Sequence, residues 1–169
     1  MNRTAKVLRG IALAGIFAAA ALAQPAQPAA AVLTVSGNVP SPVRLRAEDL
    51  AKMPRETVTV SEHDASVRYE GVPLRAILER AGAPLGKELR GKALSTYVLA
   101  TARDGYQVVF TLAEVDANFA NESILVADKR NGAAMSASQG PLRVVCPHDK
   151  EGARSVRMLE TLDIVRLRK

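Results

Sequence analysis

The chain of 169 residues contains no tryptophan, one cysteine and two histidines. A single cysteine cannot form an internal disulfide bond, and a structural zinc site needs four cysteine or histidine ligands, so neither stabilising device is expected. The sequence also lacks a G-x-S-x-G nucleophile elbow, a P-loop and a G-x-G-x-x-G dinucleotide motif. The common signatures of serine hydrolysis and of nucleotide binding are therefore missing.

The basic residues are not arranged as they are in nucleic-acid-binding proteins. The formal net charge is +6, and three of the 23 lysines and arginines lie in residues 1–23, which contain no acidic residue, so half of that charge belongs to the N-terminal segment. No block of basic residues is interleaved with aromatic ones. We therefore predict that nucleic acid is not a partner.

Residues 1–23 have the organisation of a secretory signal peptide. Three basic residues precede an unbroken apolar run at residues 11–22, and small residues favour cleavage after Ala23. The run is shorter than the about 20 residues of a membrane span, although a retained anchor is the alternative. Residues 24–31 would then form a flexible mature N-terminus. We predict a periplasmic or secreted protein with no membrane span in its mature chain.

Residues 32–169 are predicted to form one α+β domain. Apolar residues at helical spacing predict a helix over residues 71–82, and short helices are expected at residues 47–54 and after Thr111. Alternating polar and apolar residues predict strands at 33–37, 56–60, 67–69, 97–102, 106–110, 124–127, 142–145 and 162–167. Because strands and helices do not alternate regularly, we expect mixed, mostly antiparallel sheets with short helices.

Three segments contain motifs in a distinctive order. The first is YEGVPL at residues 69–74, followed by a helix and Ala-Gly; the second is DGY at residues 104–106, before a strand and an acidic helix start. The third, residues 125–159, contains an Asn-Gly turn, GPLRVVCP and RSVRML. Together they resemble the sulfite-oxidase-type molybdopterin-binding domain family, which shows W-x-G-V-P-L, GxPxRLVVP and K-S-V-K-W-L there. The match extends over most of residues 33–167.

This resemblance implies a mixed α+β fold that holds a molybdenum–pterin cofactor. On the matching motifs, the expected cofactor-binding residues are Arg143, Arg154, Ser155 and Arg157, whose basic groups would hold the pterin phosphate. Arg157 is also a candidate donor to an anionic substrate. The alternative is that these basic residues form a solvated rim. If they bind one anion, they should converge on a single cleft.

The segment before YEGVPL departs from the family pattern. In full members of the family a cysteine thiolate in this region binds the metal, whereas residues 58–71 contain no cysteine. Ser61, Glu62 and His63 lie in the approximate position, and none of them replaces a soft thiolate well. The sequence therefore predicts a degenerate oxidoreductase-like domain in which the protein ligand to molybdenum is missing.

The N-terminal segment departs in a second, independent way. Arg3 and Arg9 are separated, so there is no twin-arginine signal, whereas exported molybdopterin enzymes generally cross the membrane folded by the twin-arginine route. A plain signal implies an unfolded crossing without cofactor. Two hypotheses follow: a molybdopterin-dependent oxidoreductase-like domain, or a non-catalytic periplasmic module that uses the same basic cleft for a small anion or a protein partner.

Cys146 and the two histidines are the remaining candidates for chemistry. Cys146 replaces an apolar strand residue of the family pattern, which favours a buried thiol over a reactive one activated by neighbouring basic residues. His63, beside Asp64, is a weak catalytic candidate as a general base, and a solvated loop histidine is the alternative. A copper or zinc site of Cys146, His148 and His63 is less favoured, so no metal ligand is predicted.

Overall fold

The computed structural model describes residues 32–62, 65–120 and 123–168. Thirteen helices and strands follow one another along these residues: β1 (Val32–Gly37), β2 (Val43–Arg46), α1 (Ala47–Ala51), β3 (Glu56–Glu62), β4 (Ala65–Pro73), α2 (Leu74–Arg80), β5 (Thr96–Ala102), β6 (Gln107–Thr111), α3 (Leu112–Val115), β7 (Leu125–Arg130), β8 (Ala133–Ala134), β9 (Arg143–Val145) and β10 (Leu159–Arg166). Short 3-10 turns lie at Gly86–Glu88, Gly91–Ser95 and Gly152–Arg154.

The strands form two five-stranded sheets. The first has the order β2-β1-β10-β5-β6, and the second has the order β3-β4-β7-β8, with β9 also pairing with β7. Among the described strands, β1 and β10 are the one parallel pair, and the other pairings are antiparallel. The predicted α+β class with mostly antiparallel sheets and short helices is confirmed.

The second sheet separates two apolar cores. Side chains of neighbouring strand residues point to opposite faces, and Val144 therefore joins the main core while Val145 joins a smaller one. The smaller core also contains Tyr69 of β4 and Leu125 of β7, both fully buried. This alternation brings the side chains of Tyr69 and Arg143 to one face of the second sheet, away from the main core.

The helix α2 shows how the YEGVPL segment folds. Pro73 is the N-cap residue and still belongs to β4, so α2 begins at Leu74, three residues later than predicted from the helical spacing. Gly82 lies just after the helix with φ of +77°, a conformation that glycine adopts without strain. A Cβ at Gly71 would overlap the backbone of β7 at Val126, which explains the glycine of this motif.

Other differences from the predicted elements are local. The helix expected at residues 47–54 ends at Ala51, and β2 was not predicted because its four residues lie between a proline-rich turn and a helix. Thr111 caps α3 as predicted, since its hydroxyl accepts a hydrogen bond from the Glu114 backbone N–H at 3.2 Å. The predicted signal peptide and residues 24–31 lie outside the described residues. In the described ranges, no helix combines the length and apolar character that a membrane crossing requires.

Candidate functional site

A cavity of about 640 Å³ opens between the second sheet and the loop that follows β9. The sheet contributes the end of β3, Arg130 of β7 and Arg143 of β9. The loop contributes residues 150–153 and Arg157; we call residues 147–158 the rim loop. Four basic and two acidic side chains line the cavity, so its net charge is positive. A concave, positively charged surface of this kind favours an anionic ligand.

Five side chains form a hydrogen-bonded group at the base of the cavity, which we call the floor network: Glu62, Tyr69, Arg130, Gln139 and Arg143. Arg143 donates to the Tyr69 hydroxyl at 2.6 Å and to Gln139 Oε1 at 3.0 Å, and its other terminal nitrogen lies 2.9 Å from Glu62 Oε1. Arg130 donates to the Tyr69 hydroxyl at 3.3 Å and to Glu62 Oε2 at 3.2 Å. The Tyr69 hydroxyl donates to Glu62 Oε1 at 2.9 Å.

Strand register explains why these residues meet. Tyr69 and Arg130 are directly paired across β4 and β7, and Arg143 pairs with Ala127 across β9 and β7. Glu62 is the last residue of β3, which pairs with β4 throughout its length. The floor network therefore draws one side chain from each of four adjacent strands, and Gln139 from the segment before β9.

Arg143 is the buried centre of the floor network. Only 6% of its surface is exposed, its guanidinium lies 5.1 Å from the centre of the Tyr69 ring, and its Nε has no hydrogen-bond partner among the described residues. A buried guanidinium needs compensating acceptors, and Glu62 supplies the negative charge. The unsatisfied Nε leaves one donor of this residue available for a further acceptor.

The floor network fixes the charge state of Glu62. Burial raises the pKa of the Glu62 carboxyl, but the hydrogen bond from Tyr69 and the positive charges of Arg143 and Arg130 outweigh this effect, so the pKa lies below its ordinary value. Burial raises the pKa of Tyr69 above its ordinary value. At neutral pH the network thus contains a carboxylate, a neutral phenol and two guanidinium groups.

Lys150 and Arg157 form the outer part of the cavity, on the rim loop. Both side chains are exposed, and neither makes an ion pair within the described part of the chain. They are therefore positive charges that no described carboxylate pairs with, at the mouth of a positively charged cavity. Exposed cations of this kind can approach a ligand without first breaking an internal contact.

A smaller cavity of about 250 Å³ adjoins the first. Gly152, Ala153 and Arg157 line both cavities, and the smaller one adds Asp104, Tyr106 and Ser155. The Tyr106 hydroxyl donates to the Ala153 carbonyl at 2.8 Å, which ties the rim loop to the segment before β6. Arg157 is thus positioned where the two cavities meet.

Arg154 belongs to a different arrangement, which we call the rim clamp: Glu114, Asp149 and Arg154. Arg154 binds Asp149 through two hydrogen bonds of 2.8 and 3.0 Å and Glu114 through one of 3.0 Å, and its guanidinium lies 5.2 Å from the centre of the Phe110 ring. The hydrogen bonds to Asp149 raise the pKa of Arg154 further above its ordinary value. The rim clamp holds the rim loop against α3.

The residues expected to bind the cofactor are therefore only partly brought together. Arg143 and Arg157 line the larger cavity, Ser155 and Arg157 line the smaller one, and Arg154 lines neither of the two. Arg154 differs because its charge is taken up by two carboxylates of the rim clamp. Ligand binding by Arg143, Arg154, Ser155 and Arg157 stays a prediction.

Cys146 lies on the other side of β9 from the cavity. Its side chain is 5% exposed and packs in the main core with Val144, whereas Arg143 faces the cavity. Its Sγ lies 3.9 Å from the Arg154 carbonyl, and its backbone N–H donates to the Ser155 hydroxyl at 3.3 Å. The predicted burial of this thiol is confirmed.

The two histidines give less information about the site. His148 is exposed on the rim loop, and His63 lies outside the described residues. Within residues 32–62, 65–120 and 123–168, no group of three or more His, Cys, Asp or Glu side chains is arranged to hold a metal ion. The general-base role considered for His63 and the metal site that includes it stay untested.

Sequence reasoning missed most of the floor network. The sequence presents Glu62 only as a poor substitute for a thiolate, and it presents Tyr69, the first residue of YEGVPL, only as the counterpart of the tryptophan in W-x-G-V-P-L. Arg130 and Lys150 lay between or beside motifs and attracted no prediction. One feature of the sequence does indicate the floor network. Tyr69 and Arg143 are polar residues at strand positions where the neighbouring inward-facing residues are apolar, and buried polar residues need partners.

The chain is similar to known proteins in sequence and in fold. A sequence model of the family described as "Oxidoreductase molybdopterin binding domain" matches residues 21–168. Among solved structures, the chain is similar to the sulfane dehydrogenase SoxCD from Paracoccus pantotrophus, with a TM-score of 0.62 and 22% sequence identity. The similarity covers 79% of this chain and 38% of that one, so the chain spans well under half of the SoxCD chain's length. None of the curated proteins matches this sequence.

Proposed function

Because the chain belongs to the oxidoreductase molybdopterin-binding domain family, we propose that its cavity binds an anionic, phosphate-bearing ligand but does not ligate a metal through a protein thiolate. The observation that carries this proposal is the position of Cys146. The single cysteine of the chain packs in the main core, on the opposite face of β9 from the cavity-lining Arg143.

The side chains present fit the phosphate part of a molybdenum–pterin group. Arg157 and Lys150 are exposed at the cavity mouth, and the buried Arg143 keeps one unsatisfied donor at its Nε. Charge-assisted hydrogen bonds from arginine to phosphate are about twice as strong as neutral ones. Arg157 and Lys150 would hold and orient the anionic end of a ligand.

The residues that line the larger cavity offer no thiolate ligand to the metal of that group. When bound, the cofactor supplies a redox-active metal, and its preferred protein ligand in this setting is a soft thiolate. Cys146 cannot provide one without leaving the main core and turning to the other face of the strand. The residues of the cavity therefore bind and orient an anion, and none of them supplies a thiolate to a metal.

Export is part of the same proposal. Residues 1–23 have the composition of a cleaved signal peptide without a twin arginine, which supports crossing of the inner membrane in an unfolded state. The mature domain would then meet its ligand in the periplasm or outside the cell. Comparing the N-terminal residue of the exported protein with residue 24 tests this step; an intact N-terminus would contradict it.

A molybdopterin-dependent oxidoreductase remains the second candidate. Family membership favours it, and SoxCD is named a sulfane dehydrogenase. A protein partner that docks its own anionic group in the cavity is a further version of the binding hypothesis. Cofactor analysis of the natively produced protein separates the first candidate from the second, because only the oxidoreductase requires stoichiometric molybdenum.

The anion-binding role is tested by calorimetric titration of the chain lacking residues 1–23 with inorganic phosphate. We expect the double variant Lys150→Gln/Arg157→Gln to bind phosphate at least about tenfold more weakly, since each charge-assisted contact contributes about 1.5–3 kcal/mol. The matched control, Arg90→Gln/Lys92→Gln, removes two exposed basic residues that line neither cavity. Equal binding by both double variants would contradict the proposal.

A further inference from the structure

The carboxylate of Glu62 is surrounded by hydrogen-bond donors of the kind that bind an anionic ligand. Three donors from β4, β7 and β9 converge on its carboxylate: the Tyr69 hydroxyl at 2.9 Å, Arg143 at 2.9 Å and Arg130 at 3.2 Å. Two guanidinium groups and a hydroxyl directed at one pair of oxygens form the donor set that arginine-rich sites present to phosphate or sulfate.

The burial of the three charged groups places Glu62 between the protein interior and the open cavity. The Arg143 side chain is 7% exposed, that of Glu62 is 23% exposed and that of Arg130 is 40% exposed. Glu62, Arg130 and Arg143 all line the cavity. A ligand that enters from the cavity mouth would therefore meet the carboxylate of Glu62 before it reaches the buried guanidinium.

Glu62 also differs from the other acidic residue of the cavity. Glu151 lines the same cavity but makes no ion pair with a described residue, whereas Glu62 contacts two arginines. Both residues reduce the positive charge of the cavity equally. Only Glu62 contacts arginine donors of the cavity. Replacing each glutamate in turn therefore distinguishes the effect of the cavity's net charge from the effect of the contacts that Glu62 makes with the two arginines.

We propose that the Glu62 carboxylate occupies an inner anion-binding position between Arg130 and Arg143, and that it thereby restricts oxyanion binding to the outer position beside Lys150 and Arg157. Glu62 is then the residue that determines how many anionic groups the cavity accepts. This inference rests on the proposed function, since it describes the inner part of the same site.

The test is a calorimetric titration of Glu62→Gln and Glu151→Gln with inorganic phosphate and, separately, with inorganic sulfate. Glu62→Gln removes the negative charge that competes with phosphate and leaves a neutral amide oxygen, which is a weaker acceptor for the two arginines, so we expect this variant to bind at least about tenfold more tightly than the unmodified chain. Glu151→Gln should gain less than about threefold, from the change in net charge alone. Equal gains by the two variants, or no gain by Glu62→Gln, would overturn the proposal.

Two further variants keep the proposal testable if Glu62→Gln does not fold. Glu62→Asp keeps the negative charge but shortens the side chain by one methylene group, so its carboxylate no longer reaches both arginines; we expect a gain in phosphate affinity, and an unchanged or weaker affinity would contradict the proposal. In Glu62→Gln/Arg130→Gln, one freed donor is removed, and the gain should largely disappear. A gain that survives this second change would also contradict it.

The same titrations distinguish the failure of this inference from the failure of the proposed function. If Lys150→Gln/Arg157→Gln weakens phosphate binding but Glu62→Gln does not strengthen it, the outer site exists and the inner position does not. If Lys150→Gln/Arg157→Gln leaves binding unchanged while Glu62→Gln gains affinity, the inner position exists and the proposed outer site fails.

Discussion

The floor network and the rim clamp are two arginine-centred groups, and both central arginines come from motifs expected to bind a cofactor. Arg143 is almost fully buried, is compensated by Glu62 and lines the cavity. Arg154 is half-buried, is paired with two carboxylates and lines neither cavity. The motif therefore identified two structurally important arginines, but it did not distinguish a residue of the cavity from one that positions the rim loop.

The two groups are also built differently. The floor network joins residues from four strands, and Arg143 contacts Tyr69 across 74 positions of sequence. The rim clamp is mostly local, since Arg154 and Asp149 are five positions apart, with Glu114 added from α3. Loss of the floor network should destabilise the whole domain, whereas loss of the rim clamp should destabilise mainly the rim loop.

The largest effect is expected from Arg143→Ala. This change leaves Glu62 without its buried partner and removes the shorter of the two hydrogen bonds that arginines donate to the Tyr69 hydroxyl. Breaking such a buried pair destabilises a protein by about 3–5 kcal/mol. Urea unfolding at neutral pH measures the change. Arg68→Ala removes a mostly exposed arginine of β4 that pairs weakly with Glu70, and it should cost less than about 1 kcal/mol. If Arg143→Ala lowers the free energy of unfolding by no more than Arg68→Ala does, the floor network does not stabilise the fold.

A smaller and more local effect is expected from Arg154→Ala. Two partly exposed ion pairs and one ring contact are lost, so unfolding free energy should fall by about 1–2 kcal/mol. Hydrogen exchange should accelerate in residues 147–158 and stay unchanged in β4 and β7. Acceleration across both sheets would contradict the division between the two arginine groups.

Lowering the pH should weaken the floor network in the unmodified chain. The folded pKa of Glu62 is lowered, so its contribution to stability is present above the ordinary glutamate pKa of about 4.3 and is lost as pH falls through the folded value. We expect Glu62→Gln to lose less unfolding free energy than the unmodified chain between about pH 6 and about pH 3. Asp116, whose pKa is also lowered, is present in both proteins, so it does not change the difference between their losses of unfolding free energy. Equal losses would show that Glu62 is not stabilised as a carboxylate.

The smallest effect is expected at Cys146, which belongs to neither arginine group. Cys146→Val replaces a buried thiol by an apolar side chain of similar size, so the unfolding free energy should change by less than about 1.5 kcal/mol. A thiol reagent should label Cys146 slowly in the native protein and rapidly in urea. Rapid labelling of the native protein would show that the thiol is accessible and would weaken the case against a thiolate ligand.

The fold could largely be predicted from sequence because its signals are local. Alternating residues placed β3, β5 and β6, and Gly82 placed the end of α2. The burial of Cys146 follows from its position directly after an apolar strand. These features depend on neighbours within a few residues, which a sequence displays directly.

The candidate site could be predicted only in part because it depends on strand pairing. Glu62, Tyr69 and Arg130 have no motif of their own, and their meeting follows from the register of β3, β4 and β7. A motif likewise does not reveal that Asp149 and Glu114 bind the guanidinium of Arg154. Long-range pairing and charge compensation are visible only in the folded chain.

The most direct test of the central claim is the molybdenum and pterin content of the folded protein, purified from the organism that produces it. We expect an intact fold with molybdenum far below one atom per chain, because no cavity-lining residue supplies a thiolate and the only cysteine is buried in the main core, away from the cavity. One molybdenum and one pterin per chain would contradict this expectation and would show that the domain holds the cofactor of an oxidoreductase.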